Sequence, residues 1–183
     1  MMKKIAVLVG SMRADSFSRK TANELISMFG DNVEAKIVEI NNLPLYNSDL
    51  ETATPPAAWS EFRNSMKEVD GVLFVTPEYN RSVPAVLKNA IDVGSMPYGN
   101  AIWNDLPGAI VSIAQGNIGG FGANHHLRQA VVFLDVHVMQ TPEVYLSNIQ
   151  DMFNSDDKIE NQATRDFLKS FTYAFEAWID RLN

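Results

Sequence analysis

The fold is decided by residues 5–20, which read IAVLVGSMRADSFSRK. Residues 5–9 contain no polar side chain, which is typical of a parallel strand covered by helices on both faces. From Phe17 onward the apolar residues recur every three or four positions, so the spacing predicts an amphipathic helix that ends near Gly30 in a left-handed cap. A strand, a polar loop and a helix in this order indicate an α/β fold with a parallel sheet.

The loop between this strand and this helix carries more phosphate ligands than a turn requires. Its hydroxyl and guanidinium groups are those of Ser11, Ser16, Ser18, Arg13 and Arg19. The free amides and the positive dipole end of the helix would lie beside them, and such donors suit a phosphomonoester. The loop has neither the Walker A pattern nor Gly-x-Gly-x-x-Gly, which favours the terminal phosphate of flavin mononucleotide (FMN). In the alternative interpretation, Asp15 or Ser16 only caps the helix and Arg13 lies in solvent.

Length and composition indicate one domain over residues 1–183. The chain has 183 residues, of which 46% are hydrophobic, and this is enough to bury a sizeable core. No apolar run approaches the roughly 20 residues of a membrane span, and residues 1–5 lead directly into a strand instead of a signal-peptide core. We therefore expect a cytoplasmic protein with no membrane partner.

Cysteine usage and charge exclude several classes of function. The chain contains no cysteine, which excludes disulfides, thiolate metal sites, iron–sulfur clusters and cysteine nucleophiles. Any redox chemistry must therefore come from a bound cofactor. The net charge of −7 argues against a nucleic-acid partner, and the local cluster of Arg13, Arg19 and Lys20 stands out against it.

Beyond the first helix, strand-like and helical patterns alternate along the chain. This alternation predicts a flavodoxin-like, doubly wound, five-stranded parallel sheet in the order 2-1-3-4-5, with helices on both faces. Pro55 and Pro56 open the second helix, and the third helix has Ser82 as its cap and Pro84 in its first turn. The four further strands are predicted at 33–40, 71–75, 108–114 and 136–139, the last helix carries its apolar stripe over 167–182, and a long polar connection covers 148–161.

Three loops follow the first, third and fourth strands and would meet at the carboxyl edge of the sheet, where ligands bind in open α/β folds. The second loop, residues 76–82, combines fixed proline backbone, one aromatic ring and several amides where a flat ring would lie. The third loop, residues 115–120, is rich in glycine, so its backbone can approach a ligand closely. The alternatives are a proline-stiffened turn for the second loop and a flexible connection for the third.

Nearly the whole chain resembles the NAD(P)H-dependent FMN reductases, a family that includes bacterial quinone, chromate and azo-dye reductases. The resemblance rests on the phosphate loop and on the run Pro77-Glu78-Tyr79-Asn80, which is followed by Ser82, Pro84 and Leu87-Lys88-Asn89-Ala90-Ile91-Asp92. Further matching segments are Pro44-Leu45-Tyr46-Asn47, His126-Leu127-Arg128-Gln129 and Pro142-Glu143-Val144-Tyr145.

This resemblance implies bound FMN and an NADPH or NADH donor, with a quinone, azo compound, flavin or metal oxyanion as acceptor. It implies that backbone amides of residues 78–80 bind the hydride-accepting edge of the ring, that Tyr79 packs nearby and that residues 112–116 contact its pyrimidine edge. The flavin carries the chemistry, so no catalytic side chain and no metal are expected. The implied cofactor-binding residues are Ser11, Arg13, Ser16, Phe17, Ser18, Pro77, Glu78, Tyr79, Asn80, Ser112, Gln115 and Gly116.

Relatives associate through the helix after residues 77–80, so we expect a homodimer or homotetramer. In this chain that helix also carries more apolar residues than one buried stripe requires. The donor and the acceptor are expected to use one face of the flavin in turn, a ping-pong mechanism. The adjacent His125 and His126 are interpreted as one surface and one buried helix residue, because neighbouring helix positions diverge by about 100° and cannot readily chelate one metal.

Several positions depart from the family pattern. Ser18 stands where the family commonly has Asn, which shortens the side chain but keeps a hydrogen-bonding group. Val93 and Met96 replace the usual Trp and Arg, while Gln115 and Asn117 replace small residues. The acceptor and the choice between NADPH and NADH are therefore left open. Two other classes also stay open, namely a flavodoxin-like electron carrier without nicotinamide turnover and an interaction protein that has lost the cofactor.

Overall fold

A parallel sheet forms the centre of the computed structural model, which describes residues 2–183. Its strands are β1 (Lys3–Val9), β2 (Val33–Ile37), β3 (Gly71–Pro77), β4 (Pro107–Ile113), β5 (His137–Val138) and β6 (Val144–Leu146). They lie in the order β2-β1-β3-β4-β5, and β6 pairs with β4. Every pairing is parallel, so the predicted flavodoxin-like strand order is confirmed.

The fifth position of the sheet is filled by two short strands, whereas the sequence predicts one strand over 136–139. β5 pairs with Pro107 and Gly108 at the start of β4, and β6 pairs with residues 111–113 at its end. Pro142 lies between the two and has no amide hydrogen for a continuous ladder. The strand is therefore divided where the proline stands.

Five helices cover both faces of the sheet. They are α1 (Phe17–Ile26), α2 (Ala57–Ser65), α3 (Ala85–Gly94), α4 (Phe121–Val132) and α5 (Gln162–Leu182). Buried residues of α1 and α5 form one core, and those of α2, α3 and α4 form the other. β1 serves both, since Ile5 and Val7 face the first core and Leu8 faces the second, as its all-apolar sequence predicts. None of the helices described in residues 2–183 is long and apolar enough to cross a membrane.

Helix α1 ends earlier than the sequence predicts. It stops at Ile26, its C-cap Ser27 keeps a right-handed conformation, and Gly30 is not among the residues with positive φ. The Gly30 amide instead donates a 2.9 Å hydrogen bond to Oε1 of Glu176 on α5. The predicted left-handed glycine cap is therefore wrong, and Gly30 serves a tertiary contact.

Helix α3 also starts later than predicted. Its N-cap is Pro84, and Ser82 lies outside the helix in a tight turn with Tyr79. Most apolar residues of α3 are buried within the chain itself, since Leu87, Ala90, Ile91 and Val93 are all at most 2% exposed and Val86 is partly buried. These four buried residues therefore do not form the exposed apolar surplus that the sequence predicts on this helix.

The long connection over 148–161 is pinned to α1. Glu24 of α1 is 1% exposed and accepts hydrogen bonds from the Ile159 amide at 3.0 Å and from Lys158 Nζ at 2.8 Å. The rings of Phe17 and Phe153 stack with centroids 6.2 Å apart. The 148–161 connection, although polar in sequence, is therefore held against α1, the helix that follows the phosphate loop.

Candidate functional site

A cleft of about 400 Å³ opens at the carboxyl edge of the sheet, where the loops after β1, β3 and β4 meet. Ile149, from a short turn of the 148–161 connection, lines the cleft with them. All but two of the cofactor-binding residues implied by the sequence line this cleft, the two being Asn80 and Ser112. The convergence predicted for the three loops is therefore present in the structure.

The start of α1 forms one end of the cleft. Ser16 is the N-cap, and its Oγ accepts a 3.3 Å hydrogen bond from the Arg19 amide, so the capping role considered from the sequence is real. Ser16 and Ser18 nevertheless line the cleft as well. The first amides of a helix have no intrahelical partner, and the positive dipole end lies there. Capping and anion binding are thus compatible at this helix end.

The Arg19 guanidinium is directed away from the cleft. Its two terminal nitrogens pair with both carboxylate oxygens of Glu39, at 2.9 and 2.8 Å. These hydrogen bonds raise the pKa of Arg19 above its ordinary value. Of the two arginines that the sequence offers as phosphate ligands, Arg13 is the one that lines the cleft.

Lys20 is also engaged by carboxylates. Its Nζ lies 2.6 Å from Asp15 and 2.8 Å from Asp157. Hydrogen bonding to both carboxylates raises the pKa of Lys20, and the bond to Lys20 lowers the pKa of Asp15. Lys20 therefore links the phosphate loop to the 148–161 connection. Of the basic cluster formed by Arg13, Arg19 and Lys20, Arg13 is the residue that lines the cleft.

The loop after β3 is a two-residue hairpin. The Tyr79 amide donates to the Ser82 carbonyl at 3.1 Å, and the Ser82 amide donates to the Tyr79 carbonyl at 3.0 Å. Asn80 and Arg81 occupy the turn with φ of 51° and 64°, which is the left-handed region. Such backbone costs on the order of 1–3 kcal/mol and persists only where its surroundings hold it. The hairpin is thus a strained wall of the cleft.

Glycines shape the loop after β4. Gly119 has φ of 60°, and a Cβ there would lie 2.7 Å from the backbone carbon of Tyr145. A Cβ on Gly116 would meet nothing within 4 Å. The loop is therefore pressed against the sheet at one end and open towards the cleft at the other. Gln115 and Asn117, which depart from the family pattern, line the cleft, whereas Val93 and Met96 do not.

Ser112 supports this loop from below. Its side chain is fully buried, and its Oγ donates to the Gly119 carbonyl at 2.8 Å and accepts from Nδ2 of Asn124 at 3.2 Å. Asn124 in turn accepts from Arg128 Nε at 2.9 Å. The structure thus places Ser112 in a polar network behind the loop. Sequence reasoning missed Asn124, although a buried amide within the apolar stripe of α4 is the signal for it.

A second buried amide was missed in α3. Asn89 is 7% exposed, accepts from the Tyr46 amide at 2.8 Å and donates to the Leu43 and Pro44 carbonyls at 3.2 and 3.1 Å. It thereby holds the segment between β2 and α2 against α3. Two motifs that the sequence treats separately, 44–47 and 87–92, are one structural unit.

The adjacent histidines are both exposed, so the prediction of one buried residue is wrong. His125 Nε2 lies 3.2 Å from the Tyr145 hydroxyl, and His126 Nδ1 lies 3.1 Å from Ser82 Oγ.

Burial raises the pKa of Tyr145 to about 12, and a hydrogen bond to Glu143 is the next cause. The Tyr145 hydroxyl therefore stays protonated at neutral pH. Within residues 2–183 no group of side chains is arranged to hold a metal ion.

The donor set of the cleft fits FMN. One end offers serine hydroxyls, a helix N-terminus and the Arg13 guanidinium, which together suit a phosphate. The rest of the lining includes the hairpin with Tyr79, the aliphatic Ile113 and Ile118, and open backbone at Gly116. Small-molecule sites combine such apolar walls with a few placed polar groups at volumes of roughly 300–1,000 Å³.

Comparison with known proteins agrees with this geometry. The family of NADPH-dependent FMN reductases matches residues 3–151, and the chain belongs to this family. A quinone reductase of Pseudomonas putida is 51% identical over 175 residues, which cover 96% of this chain and 94% of that protein. A 2-hydroxy-1,4-benzoquinone reductase of a Burkholderia species is 40% identical over 179 residues, covering 98% and 97%.

A solved structure agrees as well. FerB, a flavoenzyme NAD(P)H:(acceptor) oxidoreductase from Paracoccus denitrificans, superimposes with a TM-score of 0.92 at 34% identity, covering 98% of each chain. The chain is therefore an oxidoreductase of the NAD(P)H-dependent FMN reductase and quinone reductase type.

The network behind the β4 loop predicts a stability effect for Ser112. Ser112→Ala removes the partner of the Gly119 carbonyl and of the Asn124 amide in a buried site, so the free energy of unfolding should fall by about 1–3 kcal/mol. Urea denaturation of the flavin-free chain measures it. Ser170→Ala, which removes an exposed hydroxyl on α5, is the matched control and should change little. A stability equal to that of the wild type would assign no supporting role to Ser112.

Proposed function

We propose that this chain binds one FMN in the cleft, takes a hydride from NADPH or NADH and passes electrons to a small-molecule acceptor. The observation that carries the proposal is the placement of Ser11, Arg13, Ser16 and Ser18 at one end of a cleft whose other walls are a hairpin and a glycine-rich loop. The resemblance to FMN reductases points to the same ligand.

The residues of the chain would bind and orient the cofactor. Ser11, Ser16, Ser18 and Arg13 would hold the phosphate, with Phe17 beside it. Pro77, Glu78 and Tyr79 would lie along the ring, with Asn80 in the turn behind them. Gln115 and Gly116 would approach the pyrimidine edge of the ring, and Ser112 would support that loop. FMN supplies the hydride and electron chemistry when bound, so no acid or base is required from the protein. Backbone amides at the hairpin would stabilise negative charge that builds on the ring.

Quinones are the acceptor class that we propose first, because relatives at 51% and 40% identity are named as quinone reductases. Azo compounds, free flavin and metal oxyanions are the further acceptors to be compared. Donor and acceptor would share one face of the ring in turn, since the three loops converge on one cleft at one edge of the sheet. We propose residues 1–183 as a single FMN-binding domain and a cytoplasmic location, where nicotinamide donors are available.

The alternative function is a flavodoxin-like electron-transfer protein. The same phosphate loop would serve such a carrier, but a carrier of this kind does not oxidise nicotinamides. Turnover of NADPH or NADH distinguishes the two, and the names of the relatives favour the reductase.

We also propose that the chain forms a homodimer or a homotetramer through α3 and α4. The support is a groove lined by residues of both helices, to which the half-buried Leu134 and the adjacent Phe133 also contribute. The Phe133 side chain is 88% exposed, although it is large and apolar. Burial of this ring against a second copy would remove an apolar group from water.

Phosphate binding is tested by Arg13→Ala. The change removes a charge-assisted hydrogen bond, which is worth about 1.5–3 kcal/mol, so the FMN dissociation constant should rise roughly ten- to a hundred-fold in a fluorescence titration. Arg19→Ala is the matched control, because Arg19 is engaged by Glu39, and it should weaken FMN binding far less. An unchanged dissociation constant in Arg13→Ala would remove Arg13 from the site.

Nicotinamide oxidation is tested under anaerobic conditions. Mixing the flavin-loaded enzyme with NADPH should bleach the flavin absorbance before any acceptor is added, and double-reciprocal plots with a quinone should give parallel lines. NADH run in parallel gives the donor preference. Absence of bleaching with both donors would favour the electron carrier, and intersecting lines would exclude a shared ring face.

Assembly is tested by light scattering at micromolar concentration, where the wild type should have the mass of two or four chains. Phe133→Glu places a charge in the proposed interface and should shift the mass towards a monomer. Tyr173→Glu alters an exposed aromatic residue on α5 and is the control that should leave the mass unchanged. A monomeric wild type with FMN bound would overturn the proposal.

A further inference from the structure

The hairpin after β3 depends on contacts from outside itself. Two successive left-handed residues form its turn, and Arg81 with φ of 64° is not a residue that favours this conformation. A two-residue turn of this kind is most often built from Asn and Gly. The side chains that hold it are therefore candidates for a role in shaping the cleft.

Glu78 makes the contacts that meet this need. Its side chain is 11% exposed, and its Oε1 accepts a 3.2 Å hydrogen bond from Arg81 Nη1. Its Oε2 accepts a 3.1 Å hydrogen bond from the backbone amide of Ala123. One carboxylate thus contacts both the strained turn and the first turn of α4.

Helix α4 has no cap of its own. Its N-cap is Gly120, which is left-handed and offers no side chain, so no side-chain hydrogen bond caps the helix locally. The carboxylate of Glu78 supplies an acceptor for a free amide and a negative charge at the positive dipole end. The sequence separation between Glu78 and Ala123 is 45 residues, so this cap joins two distant parts of the chain.

The hairpin and α4 also approach closely beside this contact. A Cβ on Gly122 would lie 2.8 Å from the Arg81 carbonyl oxygen and 3.0 Å from Glu78 Oε2. One turn further along α4, His126 Nδ1 lies 3.1 Å from Ser82 Oγ. Since α4 starts where the glycine-rich loop ends, these contacts connect two walls of the cleft.

We propose that Glu78 is a positioning residue, whose carboxylate locks the strained 79–82 hairpin to the N-terminus of α4 and so sets the spacing between the walls that receive the ring. The role depends first on the reach of the side chain, because only at this length does one oxygen accept from the Ala123 amide. The second oxygen, which accepts from Arg81, and the negative charge at the helix N-terminus add to the lock. This inference rests on the proposed function for its catalytic consequence, but the lock itself is a property of the chain without flavin.

Three variants separate reach from charge. Glu78→Gln keeps the length and an acceptor oxygen but removes the charge. Glu78→Asp keeps the charge and shortens the side chain by one methylene, and Glu78→Ala removes the group. Glu68→Ala is the matched control, because Glu68 is an exposed carboxylate paired with Lys4 and remote from the cleft.

The first measurement is amide hydrogen exchange of residues 79–82 and 121–124 in the full chain without flavin. Exchange should be about ten-fold faster in Glu78→Asp and Glu78→Ala, and within about two-fold of the wild type in Glu68→Ala. Glu78→Gln should be intermediate, at about three-fold, because it keeps one acceptor oxygen at the same reach but loses the charge and the acceptor for the second donor. Should Glu78→Ala fail to fold, Glu78→Asp carries the comparison. Wild-type exchange in Glu78→Asp, or equally fast exchange in Glu78→Gln, would overturn the proposal.

The second measurement is the rate of flavin reduction at saturating NADPH in fully FMN-loaded protein. Glu78→Asp should lower this rate about ten-fold, and Glu78→Gln, which keeps the reach of the side chain, should lower it less. A loss of stability alone would not change the rate in loaded, folded enzyme, so this readout separates positioning from stability. Equal rates in all variants would overturn the positioning role. A wild type that fails to bind FMN or to react with NADPH would refute the proposed function, while the exchange measurement would still decide on the lock.

Discussion

The cleft exists because the winding of the chain reverses between β1 and β3. From β1 the chain runs through α1 to β2 on one face of the sheet, and from β2 it returns through α2 to β3 on the opposite face. The loops that leave β1 and β3 therefore diverge to opposite sides, and a crevice opens between them. If both of these loops turned to the same side of the sheet, no crevice would open between β1 and β3. The phosphate end and the ring end of the site therefore both depend on the strand order.

Much of this arrangement could be predicted from the sequence, because its strongest signals are local. Residues 5–9 are wholly apolar, as a strand buried on both faces must be, and the polar loop that follows can lie only at the edge of the sheet. What could not be predicted depends on partners distant in sequence. Glu39 engages Arg19 and Glu176 occupies the Gly30 amide, and neither pairing leaves a local trace. Asn124 stands out in the apolar stripe of α4, but nothing local identifies Ser112 as its partner.

The polar residues around the cleft divide into those that face it and those that hold the backbone around it. Ser16 serves both purposes, whereas Ser112 does not line the cleft and holds the Gly119 carbonyl of the loop after β4. A cofactor that carries its own chemistry needs walls at a fixed distance more than it needs an acid or a base. The buried hydroxyl and amide groups of Ser16, Ser18, Ser112 and Asn124 fit this requirement.

The divided strand at the far edge of the sheet has a consequence for the behaviour of the chain at high concentration. An open sheet edge can template the addition of a strand from another molecule, and long, flat, apolar edges are the most hazardous. Here β5 has two residues and β6 has three, so neither offers a continuous ladder to an incoming strand. At the opposite edge, β2 carries the exposed Lys36 paired with Glu34. Both edges thus discourage intermolecular β-pairing, which protects a strongly apolar sheet from aggregation while it folds.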